Sequence, residues 1–251
     1  LYAAANPITY TDPTGCILQV NEPNTGNITR LSQEMMNSSD DDFNASMSEM
    51  GFNSKSYTYQ VLSAYRYLNK SPTGAAAIQT LIESEYVVNV VKGNRRNCFT
   101  PKDERASCAM NEEVLSILGP ISKHTGSGGT LQWNPKLITY GIHENANEPS
   151  SPELSLGHET GHALGAVLGL CYPSKDQANR YGDMYEAKYE EIPKEEWRAV
   201  FFENTLRGDL NLPLRYYYEV LPPGVPNGYN SGFKMVSPTG KPIQYVPEIN
   251  R

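Results

Sequence analysis

The chain has 251 residues, of which 39% are hydrophobic and 20% are charged, and its formal net charge is −7 at pH 7. This composition is typical of one globular domain with a sizeable core. The acidic balance argues against a general nucleic-acid-binding protein, which usually carries a basic excess. No apolar run reaches the roughly 18 residues of a membrane-spanning helix, and the sequence does not begin with a basic, apolar leader, so we expect no membrane insertion of this domain.

The first fifteen residues differ in character from those that follow. They contain an extended piece, NPITY, that is closed by the turn sequence DPTG. Residues 16–54 are polar, with an acidic triplet at 40–42, which predicts a linker or a loosely docked segment. Regular hydrophobic patterning begins near Ser56, so we expect residues 55–251 to form the folded domain.

Three elements are predicted in the first half of that domain. The sequence YQVLSAYRYL places apolar side chains at helical spacing and predicts a helix with one buried face. GAAAIQTLIESE predicts a second helix after the Ser71-Pro72 break, and YVVNVV predicts a β-strand.

Basic residues and cysteines follow this strand. The basic cluster Lys92, Arg95, Arg96, Lys102 and Arg105 is interpreted as a solvated loop rather than a nucleic-acid surface. The four cysteines have no CxxC spacing, which argues against a cysteine-based zinc site. Cys98 and Cys108 would form a disulfide in an oxidising compartment or remain free thiols in a cytosol, and the sequence leaves both open.

Four elements are predicted in the second half. The sequence at 137–143, LITYGIH, alternates as a strand does. A helix from about Pro152 to Leu170 follows, because Ser151 is a good N-cap and proline suits the first helical position. PKEEWRAVFFENTLRGDL predicts another helix, and LPLRYYYEVL an extended segment.

Two of the four histidines, His158 and His162, stand four positions apart in SLGHETGHALG, with Glu159 directly after the first. On a helix, positions i and i+4 share one face, so both rings would present a nitrogen to one ion. Zinc accepts imidazoles in tetrahedral geometry, and the glutamate would serve as a general base. A helix that carries two histidines by chance is the alternative, and the predicted capped helix after a strand favours the metal site.

A catalytic zinc site needs a third protein ligand, with its fourth position open for water. No histidine follows at the HExxHxxGxxH spacing, and His124 and His143 lie upstream. We therefore expect a carboxylate from the next helix, and the candidates are Glu190, Glu191, Glu195 and Glu196. Helical periodicity places Glu196 one turn before Val200 on the inward face. We predict Glu196 as the ligand, with Glu195 as the neighbour that orients a histidine ligand, or as the ligand in its place.

The order of motifs after HETGH resembles that of the clostridial neurotoxin light chains and, more closely, of the NleD-like effector metallopeptidases. Those families share HExxH, a later EE-x-R, an EN…LR stretch and an R-x-x-Y sequence. Here the motifs lie between Pro152 and Tyr218. Glu196 stands within EEWR, 34 positions after His162. Glu203-Asn204 and Leu206-Arg207 follow, and then Arg215 with Tyr218. The resemblance implies an α+β, zincin-like fold with a small sheet, an HExxH active-site helix and a second helix that carries a glutamate ligand.

The same resemblance implies roles for individual residues. Arg215 and Tyr218 would face the zinc and stabilise the tetrahedral intermediate of peptide hydrolysis. Zinc would polarise the peptide carbonyl and activate water, while Glu159 takes a proton and passes it to the leaving amine. Packing within a tyrosine-rich strand is the alternative role for the tyrosine, and Tyr216 and Tyr217 are its immediate neighbours.

The first fifteen residues, LYAAANPITYTDPTG, resemble the end of the RHS repeat-associated core, the shell of polymorphic toxins that include the C components of Tc toxin complexes. In those proteins a variable C-terminal toxin domain follows the DPxG sequence. Some shells cleave their own chain there by means of aspartates; Asp12 matches one of them, whereas Cys16 replaces the usual leucine. The resemblance implies an encapsulating shell upstream and leaves self-release near Gly15 open.

Together these features predict a secreted virulence effector whose residues 55–251 form a zinc metalloendopeptidase. An RHS-type shell would deliver it into the target-cell cytosol, where it cleaves a protein; the related effectors cut signalling kinases. The substrate would lie extended beside the strand at 137–143, and the shell or an immunity protein would restrain the enzyme. Two alternatives remain: a zinc amidase of a cell-wall substrate that acts against bacteria, and a non-catalytic binding module with a structural zinc, for which Cys171 would be the fourth ligand.

Overall fold

A computed structural model describes residues 17–23, 25–120, 124–137, 149–173, 193–218, 233–234, 236 and 241–242. The predicted α+β class is confirmed, with a five-stranded mixed sheet and seven α-helices in the described part of the chain. The strands are β1 Ile17–Asn21, β2 Ile28–Arg30, β3 Val87–Lys92, β4 Cys98–Pro101, β5 Gly129–Trp133, β6 Tyr217–Tyr218 and β7 Phe233–Lys234. The helices are α1 Gln33–Asn37, α2 Asp40–Glu49, α3 Tyr57–Leu68, α4 Pro72–Glu83, α5 Glu112–Leu118, α6 Pro152–Val167 and α7 Lys194–Asp209, with a 3-10 turn at Ala106–Cys108.

The main sheet has the order β2-β1-β3-β5-β4. The three central strands β1, β3 and β5 are parallel, and the two edge strands β2 and β4 run antiparallel to their neighbours. β6 and β7 form a separate antiparallel pair. Parallel strands need long crossover connections, and the chain supplies these with α1 to α4 between β1 and β3 and with α5 between β3 and β5. No helix among the described residues is long and apolar enough to cross a membrane.

The core lies between the sheet and helices α3, α4 and α6, which contact one another. Val61, Leu62, Tyr65 and Leu68 of α3 are buried, as the helical spacing predicted. α4 begins at Pro72, and the Ser71 hydroxyl accepts a hydrogen bond from the amide of Gly74. The two helices and the strand predicted between residues 57 and 92 are therefore confirmed.

The prediction that residues 16–54 form a linker or a loosely docked segment is wrong for the residues that the structure describes. β1 lies between β2 and β3, and its Leu18 and Val20 side chains are completely buried. α1 and α2 follow, and the acidic triplet occupies the first turn of α2, where the positive end of the helix dipole stabilises carboxylates. A strand of five residues carries too few apolar side chains to stand out in a polar stretch.

The structure leaves one further prediction untested and corrects the end of another. The predicted strand at 137–143 falls almost entirely outside the described residues. The helix predicted from Pro152 to about Leu170 begins where expected but ends at Val167. Gly169 follows with a φ of +73°, and the Leu170 amide donates to the carbonyl of Gly165, which is the usual glycine stop of a helix.

Candidate active site

α6 carries the HExxH sequence in its middle, and all three polar side chains of that motif are buried. His158, Glu159 and His162 are 7%, 6% and 8% exposed. The two imidazole rings lie 5.0 Å apart at their centroids and are nearly perpendicular, as expected for positions i and i+4 on one face. The opposite face of the helix is apolar and packs in the core, so the helix has a fixed rotation about its own axis.

α7 crosses α6 closely because glycines replace bulkier side chains on one stripe of α6. A Cβ on Gly157 would lie 2.8 Å from the Leu206 side chain, and one on Gly161 would lie 2.9 Å from Phe202. A Cβ on Gly165 would overlap the guanidinium of Arg198. The glycines ascend α6 in steps of four while their partners descend α7 in steps of four, so the two helices run antiparallel in a single register.

This register brings the predicted third ligand to the two histidines. Glu196 Oε2 lies 3.2 Å from His158 Nε2 and 3.5 Å from His162 Nε2. Potential ligand atoms of the three residues all lie within 4.8 Å of one another. Two imidazoles and one carboxylate are the donor set of many catalytic zinc sites, and such sites keep a fourth position open. The residues present therefore fit a zinc ion.

A second carboxylate stands behind His162. Glu195 Oε1 lies 3.0 Å from the ring atom Nδ1, so Nε2 is the nitrogen that faces Glu196. Arg198 holds Glu195 by an ion pair and donates a hydrogen bond to the carbonyl of Gly161 at 3.0 Å. Burial raises the pKa of the Glu195 carboxyl, but Arg198 and His162 outweigh it and bring the pKa to about 2. Glu195 is thus an ionised carboxylate that fixes the orientation of His162.

A third carboxylate, Glu203, stands behind His158, further from that ring than Glu195 is from the ring of His162. Its Oε2 lies 3.4 Å from His158 Nδ1 and accepts a hydrogen bond from Arg215 at 2.8 Å. Its other oxygen accepts from Arg207 at 2.9 Å. Burial raises the pKa of Glu203, and the two arginines lower it well below its usual range. Each histidine therefore has a carboxylate at Nδ1 and turns Nε2 towards Glu196.

Glu159 differs from the other carboxyl groups of the site. Burial raises its pKa, and the charge of Glu196 acts in the same direction, whereas His158, His162 and Arg215 lower it by smaller amounts. A carboxyl group with a raised pKa is suited to accept and return a proton near neutral pH. Unlike Glu195 and Glu203, Glu159 has no ion pair with an arginine among the described residues.

Arg215 lies beside Glu203, and its backbone forms two hydrogen bonds with the side chain of Asn204. Its amide donates to Asn204 Oδ1 at 2.7 Å, and its carbonyl accepts from Asn204 Nδ2 at 3.0 Å. Tyr218 lies three positions further along, in strand β6, but its side chain is outside the described part of the chain. Glu190, Glu191 and His143 also lie outside the described residues. His124 is exposed and does not belong to the group of possible metal ligands.

Cys171 is close to the site but is no part of the ligand group found among the described residues. Its thiol lies 3.8 Å from the carbonyl of His162 and 3.6 Å from Glu195 Oε1, on the side away from Glu196. Cys98, Cys108 and Cys171 are all free thiols. The arrangement gives no support to a closed zinc site with Cys171 as the fourth ligand, or to a disulfide between Cys98 and Cys108.

Sequence reasoning assigned no role to three of the residues that organise this site. Glu203, Arg198 and Arg207 all belong to motifs that were recognised, yet their functions depend on which histidine or carboxylate each one reaches. The sequence does contain a signal for these roles, because charged side chains recur at helical spacing on a face of α7 that is buried. Buried charges require partners, and the histidines of α6 are the partners available.

Comparison with known proteins identifies one family. The model of the family Peptidase_M91, described as effector protein, matches residues 44–218, which is more than two thirds of the chain and includes both α6 and α7. No curated protein and no solved structure shows significant similarity to the chain.

Proposed function

This chain belongs to the Peptidase_M91 family of effector proteins, and we propose that it is a zinc-dependent endopeptidase that hydrolyses peptide bonds of a protein in a target cell. The observation that carries the proposal is the pairing of the two HExxH imidazoles with Glu196, each ring being held from behind by its own carboxylate. A helix with two incidental histidines would have no need of three converging glutamates.

We assign His158, His162 and Glu196 as the zinc ligands. Zinc bound there would supply a Lewis acid that polarises a peptide carbonyl and makes water nucleophilic at neutral pH. His162 Nδ1 lies 3.0 Å from Glu195 Oε1, which holds that ring with Nε2 towards Glu196, and His158 Nδ1 lies 3.4 Å from Glu203 Oε2. Glu195, which the sequence left as the second choice for the ligand, faces Nδ1 of His162 and Arg198, and its position supports the orienting role instead.

Glu159 is assigned as the general base and acid. It accepts a proton from the attacking water and transfers that proton to the amine that leaves when the C–N bond breaks. Its raised pKa supports this role, because the carboxyl group must be able to carry a proton during the reaction. No other carboxylate of the site combines burial with freedom from a bound arginine in the described residues.

Arg215 and Tyr218 are assigned to the negative charge that grows on the former carbonyl oxygen. The guanidinium of Arg215 is buried, and its charge acts on Glu159, so it lies within electrostatic reach of the reacting groups. Guanidinium and phenol groups both donate hydrogen bonds to an oxyanion. The role of Tyr218 rests on its spacing from Arg215 and on the resemblance of the R-x-x-Y motif.

Delivery by an RHS-type shell into the target-cell cytosol, and restraint by that shell or by an immunity protein, remain proposals that rest on residues 1–15. Those residues lie outside the described part of the chain. The assignment of residues 1–15 to the tail of the shell is likewise a proposal. We place the start of the catalytic domain at or before residue 17, because β1 pairs with β2 and β3 in the main sheet.

Metal content, measured by elemental analysis, tests the site first. We expect one zinc per chain in the wild type and its loss or marked weakening in His162→Ala and Glu196→Gln. Zinc retained by Glu196→Gln would transfer the ligand role to another residue, Glu195 first. A wild type that binds no zinc when it is supplied would overturn the proposal.

Proteolysis by the Glu159→Gln variant tests the chemistry. We expect zinc to be retained and cleavage of target-cell proteins to fall by at least about 10²-fold, since the general base is lost while the ligands remain. The readout is the set of new N-termini in a target-cell extract. Killing of bacteria that depends on Glu159 but produces no new protein N-terminus would instead favour a cell-wall amidase.

A further inference from the structure

We propose that the outer edge of β4, which pairs with no further strand in the described part of the chain, and the basic residues at its two ends bind an extended substrate segment that carries anionic side chains. The inference rests on the proposed function and names the substrate class of that same site. It replaces two expectations from the sequence: that the substrate lies beside residues 137–143, and that the basic cluster is only a solvated loop.

β4 is the edge of the sheet nearest the candidate active site. It is the last strand in the sheet order, and α6 packs against both β4 and β5. Just before β4, Asn97 donates a hydrogen bond to Ser155 of α6 at 3.1 Å, one turn before His158. Cys98, the first residue of β4, is within electrostatic reach of Glu159 and His162. β4 therefore lies beside the proposed catalytic and metal-binding residues.

The hydrogen-bond pattern shows what this edge offers to a partner. The Lys102 amide donates to the carbonyl of Gly128, and the register continues through Thr100 opposite Thr130. Hydrogen-bonded and non-hydrogen-bonded pairs alternate in an antiparallel ladder, so Phe99 turns its N–H and C=O away from β5. Pro101 has no N–H, so the edge offers one complete donor–acceptor pair, at Phe99. A substrate strand would be anchored there by main-chain bonds.

Basic residues lie on both sides of Phe99 in the sequence. Arg95 and Arg96 precede β4, Lys102 and Arg105 follow it, and all four are exposed. Between residues 92 and 105 there are five basic and two acidic residues, a local net charge of +3 in a chain whose net charge is −7. Such a local reversal of charge beside the candidate active site attracts anions and repels cations.

The two acidic residues of this segment are engaged elsewhere. Asp103 accepts hydrogen bonds from the amides of Arg105 and Ala106 at 2.9 and 3.0 Å and thereby caps the 3-10 turn. Glu104 acts electrostatically on the buried Cys108. Neither carboxylate forms an ion pair with Arg95 or Arg96 in the described part of the chain. Arginine binds carboxylates and phosphates in the same bidentate way. We therefore expect the ligand to be an anionic side chain, either a carboxylate or a phosphate, near the scissile bond.

Peptide binding to the zinc-loaded Glu159→Gln chain tests the proposal without any turnover. Three fluorescein-labelled peptides share one sequence and differ only in having glutamate, glutamine or phosphoserine at the positions that flank the centre. By fluorescence anisotropy, we expect the glutamate peptide to bind about tenfold more tightly than the glutamine peptide. The phosphoserine peptide distinguishes the source of the anion: tighter binding than glutamate identifies phosphate as the preferred group, and equal or weaker binding identifies carboxylate.

Charge reversal and hydrogen exchange locate the binding. Arg96→Glu should abolish the preference for the anionic peptide, whereas Lys70→Glu, the same charge change at an exposed residue after α3, should leave it intact. Exchange of the Phe99 amide should slow when the glutamate peptide binds. Equal affinity for all three peptides, or a preference that survives Arg95→Glu with Arg96→Glu, would overturn the proposal. A protein that shows the preference but does not cleave proteins would overturn the proposed function and not this surface.

Discussion

The two faces of α6 are equally buried but are held by different physics. One face, with Leu156, Ala163 and Val167, packs into an apolar core with the sheet and with α3 and α4. The other face meets α7 through His158 and His162 and a layer of carboxylates and guanidinium groups. The apolar face is stabilised by the removal of hydrocarbon from water, and the ionic face only by the completeness of its pairing.

The difference shows which face serves stability and which serves chemistry. Burying an ion costs several kcal/mol before its partners offset the cost, so an ionic layer is a poor way to hold two helices together. Within this layer Glu195 and Glu203 each pair with an arginine and lie beside a histidine, and Glu196 lies beside both histidines. Five experiments test this division, and the first is expected to show the largest effect.

Glu203→Ala should destabilise the protein by about 3–5 kcal/mol, because Arg207 and Arg215 would remain buried without their shared carboxylate. Leu131→Ala in the apolar core should cost a similar amount, about 2–5 kcal/mol, by leaving a cavity. Urea denaturation measures both. Asp40→Ala is the control, since Asp40 pairs with Arg66 at the surface, and it should cost no more than about 1 kcal/mol. A cost for Glu203→Ala as small as that of the control would contradict the pairing.

Gly165→Ala should destabilise the protein and also weaken its metal binding. The added methyl group would overlap the Arg198 guanidinium and push it away from Glu195 and the Gly161 carbonyl. Gly208→Ala is the matched control, because its Cβ would meet nothing within 4 Å, and it should stabilise α7 by up to about 1 kcal/mol. Thermal unfolding with and without zinc measures both effects. Equal behaviour of the two variants would disprove the glycine groove.

Glu195→Gln should lower zinc affinity by about 10- to 100-fold, because it removes the carboxylate that orients His162. Competition with a chromogenic chelator measures the affinity, and the spectrum of the cobalt-substituted protein reports the geometry of the ligands. Glu153→Gln, in the first turn of α6, is the control and should leave zinc affinity unchanged. Unchanged affinity in Glu195→Gln would show that His162 needs no such support.

The three described thiols should react at very different rates in the native protein. Cys98 is partly exposed, whereas Cys108 and Cys171 lie in a small apolar cluster with Val114 and Ala166. Burial raises the pKa of Cys108 to about 12, so almost none of it is thiolate at neutral pH. Alkylation followed by mass spectrometry should modify Cys98 at least about tenfold faster than the other two. Rapid modification of Cys108 would mean that this cluster opens readily.

Asp209→Ala should have the smallest effect, about 1 kcal/mol or less, since it removes a surface cap from α4. Asp209 accepts hydrogen bonds from the Ser71 hydroxyl at 2.6 Å and from the Thr73 amide at 2.9 Å, and these lower its pKa. Because the folded pKa is the lower one, the stabilisation is present above the unfolded pKa and is lost as pH falls through the folded value. Urea titrations of both proteins should therefore converge in acid.

Local patterns were sufficient to predict much of the fold. The helical spacing of Val61, Leu62 and Tyr65 and the Ser-Pro start of α4 depend on neighbours a few residues away, and the structure agrees with both. β1 was missed because its burial depends on pairing with β3, some 70 residues later in the chain. The average composition of residues 16–54 carries no information about such a long-range pairing.

By itself the sequence determined that His158 and His162 share a helix face with Glu159 between them, since a four-residue spacing leaves no other arrangement on a helix. It also determined which carboxylates were available. Only the tertiary structure decided their division of labour: Glu196 to both Nε2 atoms, Glu195 behind one ring and Glu203 behind the other. The physical reason is the antiparallel register of α6 and α7, which depends on the contact of Gly157, Gly161 and Gly165 with side chains more than thirty residues away.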